Sequence, residues 1–375
     1  MVPPTRDRAS RLFKRYEIKA SDFHDLIENW SIGVARDLGM FDMTKGSLTH
    51  PAEENTLIGD ATWIESYVKK TATRVVDKTT GEVIEKETDE GTEPFNRTAE
   101  RQGNYLLTTS VTDGKPRGTV MLSTRFVPLK SEKSEAVEDV LRLKRKVPAI
   151  RAHAYDSKLG AAEADAEADV GVVLVNYPSL IKDSKPNSRS LGVHEFRHGV
   201  QRKSFEVIAI HGSPYISMVI AGANHRVPLK RIQNKLFTKN NRITEWITCQ
   251  IPASDGVPAE FIGLRTRIRL NSSKLEIKNR LRRTVSLRGI FDNDPDFDRI
   301  YGRRNTTESL HADIKRLLPE GRFWVRGLER KTRVMHNYQV FNNLRCVVMA
   351  CKNNDQVMQK YFGNWRPWNS KAQAA

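Results

Sequence analysis

Cysteine is scarce in this chain of 375 residues: there are three, Cys249, Cys346 and Cys351, and no two of them form a CxxC pair. A disulfide framework and a cysteine-ligated zinc site are therefore not expected, and a reducing compartment, the cytoplasm, is the natural one. Acidic residues are in deficit, with 45 Asp and Glu against 62 Lys and Arg, a formal net charge of +17. That balance points to a polyanionic partner. Lys and Arg displace counterions from phosphates, so nucleic acid is the expected one, the plainer reading being a basic protein that is simply soluble. Long apolar runs are missing as well: nothing approaches the roughly 18 residues needed to span a bilayer, so no membrane is expected. The basic opening MVPPTRDRASRLFKRYE has no apolar run behind it, so no signal peptide is expected.

What is present suits a buried core: 38% of the residues are apolar. The length fits one large domain with an insertion, or two domains. Residues 18–40 read as one or two helices, with Phe23, Leu26, Ile27 and Trp30 at helical spacing and Ser21 as a candidate cap. NTLIGDATWIESYVKK reads as a strand carrying Asp60. Residues 77–103 are polar and read as an excursion with little core. NYLLTTSV and GTVMLSTRFV form a hairpin around Asp113-Gly114. A helix follows with Val137, Val140, Leu141 and Leu143 on its apolar face, then a short strand ending at Asp156, an Ala-rich helix, and the apolar strand GVVLVNYP. This order implies an α/β layer rather than a bundle.

Residues 185–290 differ. FEVIAI, YISMVIAG, ITEWITCQI and FIGLRTRIRL are strand-like runs, which reads as an all-β insertion. Helical patterns return after Asp298, and the tail from Phe362 reads as irregular. The expected divisions are a short helical segment (1–50), a first core part (51–184), the β-rich insertion (185–290), C-terminal core helices (291–361) and a tail (362–375).

Chemistry concentrates in YGRRNTTESLHADIK. On one continuous helix Tyr301, Arg304, Glu308 and Lys315 would fall within roughly a 60° sector. By itself that stripe could be a solvated face with an Arg–Glu pair at i, i+4. The four residues, however, match the Y-x2-R-x3-E-x6-K signature at every position. The chain thus resembles DDE transposases of the insertion-sequence-four group. The resemblance spans about residues 55–350 and is tightest over 294–315. It implies a ribonuclease-H-like mixed sheet flanked by helices, interrupted by the all-β insertion before the last catalytic helix.

The resemblance further implies that Glu308 is the third metal-binding carboxylate and that two upstream Asp residues stand at strand ends. Asp60, in IGDATW, resembles the first and Asp156, in AHAYDSKLG, the second. Each has a plainer reading: Asp60 as a polar strand-end residue, Asp156 as a helix N-cap. Asp113 competes for the first position but sits in a turn signal. The chemistry of such enzymes uses two Mg²⁺ ions, Mn²⁺ being the alternative, in an in-line displacement at phosphorus. Asp60 would bridge both ions, with Asp156 and Glu308 holding one each. Tyr301, Arg304 and Lys315 would contact the DNA backbone, Arg304 suiting a bidentate phosphate contact.

The insertion adds positive charge. Nine basic residues and one acidic, Glu276, lie between Arg265 and Arg288. On a strand, Arg265, Arg267 and Arg269 share a face; the face could be merely solvated, or could meet phosphate. Trp246 is either core, as strand tryptophans usually are, or a platform for a flipped base, as the resemblance allows. The expected activity is DNA cleavage and strand transfer at element ends and target, by a homodimer on DNA associated with the chromosome. The alternative is a catalytically inactive, transposase-derived DNA-binding protein.

Two motifs are discounted. His194-Glu-Phe-Arg-His198 matches HExxH, but Gly192 and Gly199 argue against the long helix a zinc protease needs. DNDPDFD begins like a calcium loop, but Phe297 and Arg303 occupy the positions that need Gly and Glu.

Overall fold

A computed structural model describes residues 19–363 except 68–71, 77–80, 82, 88, 90–91, 96–97, 116, 179–187, 221, 240–241 and 352–353. Nearly all of the expected irregular tail, and the first part of the N-terminal segment, lie outside the described residues.

In chain order the elements are α1 (His24–Asp37), β1 (Thr56–Glu65), β2 (Ala72–Val76), β3 (Val83–Glu87), β4 (Glu93–Phe95), β5 (Thr98–Thr112), β6 (Thr119–Val127) and α2 (Glu132–Lys146). Next come β7 (Ala152–Ala154), α3 (Ala161–Ala168), β8 (Val173–Val175), β9 (Ser188–His198), β10 (Gln201–Ile210), β11 (Ser213–Ile220) and β12 (Ala223–Pro228). They are followed by β13 (Lys230–Lys239), β14 (Arg242–Gln250), β15 (Arg265–Arg269) and α4 (Lys274–Lys278). The chain closes with α5 (Pro295–Tyr301), α6 (Arg304–Leu317), α7 (Leu328–Cys351) and α8 (Asp355–Phe362). The fold is mixed α/β, as expected, and α8 is regular up to Phe362. No helix of the described residues is long and apolar enough to cross a membrane.

The chain forms two compact units: Met1–Met40 with Ala61–Glu132 and Glu308–Ala375, and Phe41–Asp60 with Lys133–Thr307. In the first unit β5 and β6 make the expected antiparallel hairpin, from Tyr105↔Val127 to Thr112↔Thr119. Its turn uses Gly114 at φ +77°, a conformation that favours glycine. Ile64, Leu106, Met121, Leu310, Ile314, Leu318 and Phe323 form the core.

Helices α1 and α7 pack on β6. Strand β6 pairs with β5 on one side, and amide side chains of α7 serve the backbone on its other side. Asn343 Oδ1 accepts from Met121 N at 2.9 Å, and Asn343 Nδ2 donates back to Met121 O at 2.8 Å. Gln339 Nε2 donates to Leu122 O at 2.9 Å, and Asn342 Nδ2 to Thr119 O at 3.0 Å. An edge strand is thereby covered rather than left as a template for another chain. Replacing Asn343 by leucine should orphan buried groups at about 1–3 kcal/mol each. Faster hydrogen exchange at the Met121 amide would register the loss.

Three expectations for this unit need correction. Helix α1 buries Glu28, Ser31, Ile32, Val34 and Ala35, whereas Leu26 is exposed. A helix face is chosen by what covers it, and here a polar helix supplies partners: Ser31 Oγ accepts from Gln339 and Asn343. Ser21 is no cap, because the first turn starts at Lys19, whose N–H donates to Asp22 Oδ2 at 2.8 Å. The polar excursion contains β3, which pairs with β2 just before it, and β4, which pairs with β5. It also contributes Asp89, which is fully buried.

In the second unit the first half of β1 runs parallel to β7, and β7 parallel to β8. Ala152, Ala154, Val173 and Val175 pack with Phe297 and Ile300 of α5. The insertion is a seven-stranded antiparallel sheet ordered β12-β11-β10-β9-β15-β14-β13. Four strand-like runs were legible. Strands β9, β12 and β13 were not, because charged and polar residues interrupt their apolar alternation.

Candidate functional site

Asp60 and Asp156 both belong to the second unit. Their placement follows from register. Ile58 pairs with Ala154, and Ala154 with Val175. Two residues past this paired row stand Asp60, Asp156 and Tyr177 on three neighbouring parallel chains. Strands in such a sheet lie about 4.8 Å apart, and the region beyond their carboxyl ends is where open parallel sheets bind ligands.

Asp60 departs from expectation in one respect: β1 does not end there but continues to Glu65. Asp156 does lie just past its strand. The helix-cap reading fails, because the N-cap of α3 is Gly160. Instead Asp156 Oδ1 accepts from Lys158 N at 2.9 Å and closes a turn. That turn is pinned by Asn176, whose Nδ2 donates to Asp156 O at 2.8 Å. Asn176 Oδ1 in turn accepts from Nε of the buried Arg288 at 2.7 Å.

The four-residue signature does not lie on one helix. Helix α5 ends at Tyr301 and α6 begins at Arg304. At the join, N–H groups reach three residues back: Arg303 to Ile300, Asn305 to Gly302, Thr306 to Arg303. These tighter turns change the rotation per residue, so a stripe computed at 3.6 residues per turn is not preserved across them. Arg304, Glu308 and Lys315 all lie on α6, so only Tyr301 stands on a different helix from the other three. Desolvation draws the Lys315 amine below its ordinary pKa. His311, which lies between Glu308 and Lys315 in sequence, is pushed down to about 3 by burial, with Lys315 adding to the shift. Among the described residues, no three His, Cys, Asp or Glu side chains are grouped closely enough to hold a metal ion.

Arg265, Arg267 and Arg269 do share the outward face of β15, while Thr266 and Ile268 point inward. Opposite them on β14 stand Gln250, Thr248 and Trp246. Trp246 is not core: with Phe237, Thr244, Arg267 and Arg269 it lines a cavity of about 450 Å³. Arg197, across from Arg265 on β9, extends the surface. The row is not free of counter-charge, as Arg269 forms an ion pair with Glu276. Burial works against the Glu276 charge, yet hydrogen bonds from Ser273 and Arg283 hold its pKa at about 2.

The discounted motifs have structural roles. His194–His198 lies in β9, so the histidines cannot adopt helical ligand spacing; Glu195 accepts from Arg197 at 2.6 Å. In the acidic run, Asp294 caps α5 and, with Asp296, holds the buried Arg231 at 2.8 and 2.9 Å. The sequence reading missed Asn176, Tyr177, Arg197 and Phe237. For the first two a signal existed: Asn-Tyr-Pro follows an apolar strand much as Tyr-Asp follows β7. No model of a known protein family matches the chain, and no curated protein matches it either.

Proposed function

We propose that the chain is a metal-dependent DNA transposase with a ribonuclease-H-like core, cleaving DNA at element ends and transferring strands to a target. The observation that carries this reading is that Asp60 and Asp156 each follow by two residues the paired row Ile58↔Ala154 of two parallel strands. Two carboxylates so placed suit Mg²⁺ or Mn²⁺, which prefer hard oxygen ligands. Glu308 is the third ligand that the signature implies. A bound pair of such ions would stabilise the attacking and leaving oxygens as one P–O bond forms and the other breaks.

Tyr301, Arg304 and Lys315 would contact the DNA backbone, and Trp246 a base. The face carrying Arg197, Arg265, Arg267 and Arg269 supports a polyanionic partner. The protein would act as a homodimer on DNA, in the cytoplasm and associated with the chromosome. A second reading keeps DNA binding and drops catalysis. It is favoured by the construction of the arginine surface, which uses none of the three carboxylates.

Cleavage of duplex DNA by the purified chain with and without Mg²⁺ or Mn²⁺ separates the two. Under the first reading, metal-dependent nicking falls to the metal-free level in Asp60→Asn, Asp156→Asn and Glu308→Gln alike. Binding with no cleavage, unchanged in Glu308→Gln, would leave only the second.

A further inference from the structure

Tyr177, two residues past the end of β8, is the centre of a chain of rings within the second unit. One side of its ring stacks on His211, with centroids 5.2 Å apart and planes 23° from parallel. Another side meets Tyr301 edge-on at 5.1 Å and Phe297 at 4.7 Å. Phe297 and Tyr301 stack on each other at 5.3 Å and 21°. The Arg304 guanidinium lies 5.9 Å from the Tyr301 ring centre, within cation–π reach. Rings in these offset and edge-to-face geometries hold one another's orientation more firmly than aliphatic neighbours would.

His211 occupies an unusual backbone position. It has φ +51° and is followed by Gly212 at φ +104°. A non-glycine residue persists there only where its surroundings over-determine it. Here they do. His211 Nδ1 lies 3.2 Å from Asp292 Oδ2, and the other oxygen of Asp292 accepts from Ser213 Oγ. Gly212 N donates to Ser286 O at 2.9 Å, and Arg288 N donates to Gly212 O at 3.0 Å. The corner between β10 and β11 is thus fixed from several directions, and what it presents is an imidazole flat on Tyr177.

We propose that Tyr177 and His211 are positioning residues that hold Tyr301 and Arg304 for contact with a DNA phosphate. This rests on the reading of the protein as one that binds DNA. Tyr177 would link two parts of the site, since it follows β8 as Asp156 follows the paired β7, and it packs against the end of α5. Without the stack, Tyr301 would turn about its own side-chain bonds and Arg304 would lose the ring it lies over. The effect falls on phosphate binding rather than on folding.

The test measures binding of a short DNA duplex by the full chain over a range of salt concentrations, with thermal unfolding of each variant alongside. Each phosphate that the protein no longer neutralises makes the slope of log K against log salt shallower by about 0.9. Arg304→Ala should flatten the slope by about one such step. Tyr177→Leu and His211→Asn should flatten it equally with little change in melting temperature, because asparagine tolerates positive φ and keeps the corner while removing the ring. Tyr177→Phe, which keeps the ring, should restore the wild-type slope. A wild-type slope in both Tyr177→Leu and His211→Asn, with Arg304→Ala reduced, overturns the positioning role alone. Equal flattening in Tyr177→Phe and Tyr177→Leu overturns it too. A wild-type chain that does not bind DNA overturns the DNA-binding reading and this inference with it.

Discussion

Lys331→Met should destabilise the first unit by about 3–5 kcal/mol, the usual cost of stranding one member of a buried ion pair. The side chains of Lys331 and Asp89 are both fully buried, with Nζ 2.7 Å from Oδ2. The remaining capacity of each group is used. Lys331 Nζ also donates to Asn104 Oδ1 at 2.8 Å, and Asp89 accepts from Gly327 N at 2.8 Å and from Ser66 Oγ. Burial draws the Lys331 amine below its ordinary pKa, and Asp89 opposes the shift. Removing the amine leaves a buried carboxylate without the cation that neutralises it. The double variant Lys331→Met, Asp89→Leu should recover much of the loss, since replacing a whole buried pair by apolar groups is often near neutral. Urea unfolding of the wild type and both variants decides it. A double variant no more stable than Lys331→Met would show that the pair is needed for more than mutual neutralisation.

Gly59→Ala should cost about 1–3 kcal/mol by overpacking, and it should also disturb Asp60, the next residue. A Cβ at position 59 would stand 2.7 Å from Tyr155 Cδ2 and 2.8 Å from His153 Nε2. Neither ring can yield easily. Tyr155 is fully buried, and His153 Nδ1 is held 2.8 Å from Oε1 of the buried Glu167. The backbone of β1 must then move away from β7, next to the paired row Ile58↔Ala154 that precedes Asp60 and Asp156. Gly33→Ala, in α1, is the control: a Cβ there meets nothing within 4 Å. It should stabilise by about 0.5–1 kcal/mol, the ordinary helical cost of glycine. Thermal melts of both variants measure the contrast. If Gly59→Ala melts with the wild type, the close approach is not a constraint.

Much of the architecture was legible because local signals carry it. Asp113-Gly114 between two apolar runs specifies a hairpin, and the apolar runs IRAHAY and GVVLV specify short buried strands. The alternation Arg265, Arg267, Arg269 fixes a shared face, because side chains on a strand point to opposite sides in turn. The continuous signature helix was not so secure. Periodicity assumes a constant rotation per residue, and a few i→i−3 hydrogen bonds around Gly302 end that assumption without any proline or run of glycines to announce it.

The sequence by itself determined the charge excess, the absence of a disulfide framework, the mixed α/β order and the strands on which Asp60 and Asp156 stand. All of these follow from composition, or from patterns within a dozen residues. Only the tertiary structure decided that the segments leading to Asp60, Asp156 and Tyr177 pair in parallel, since register between distant strands depends on hydrogen bonds formed across the sheet. It alone decided that Glu28 and Ser31 of α1 would be buried, since a helix face is chosen by its neighbour, and here that neighbour brings amides. It alone revealed the role of Asp89, which in sequence is one acid in a polar stretch. In the fold it faces Lys331, 242 residues away, and an ion pair between residues so far apart leaves no local pattern to read.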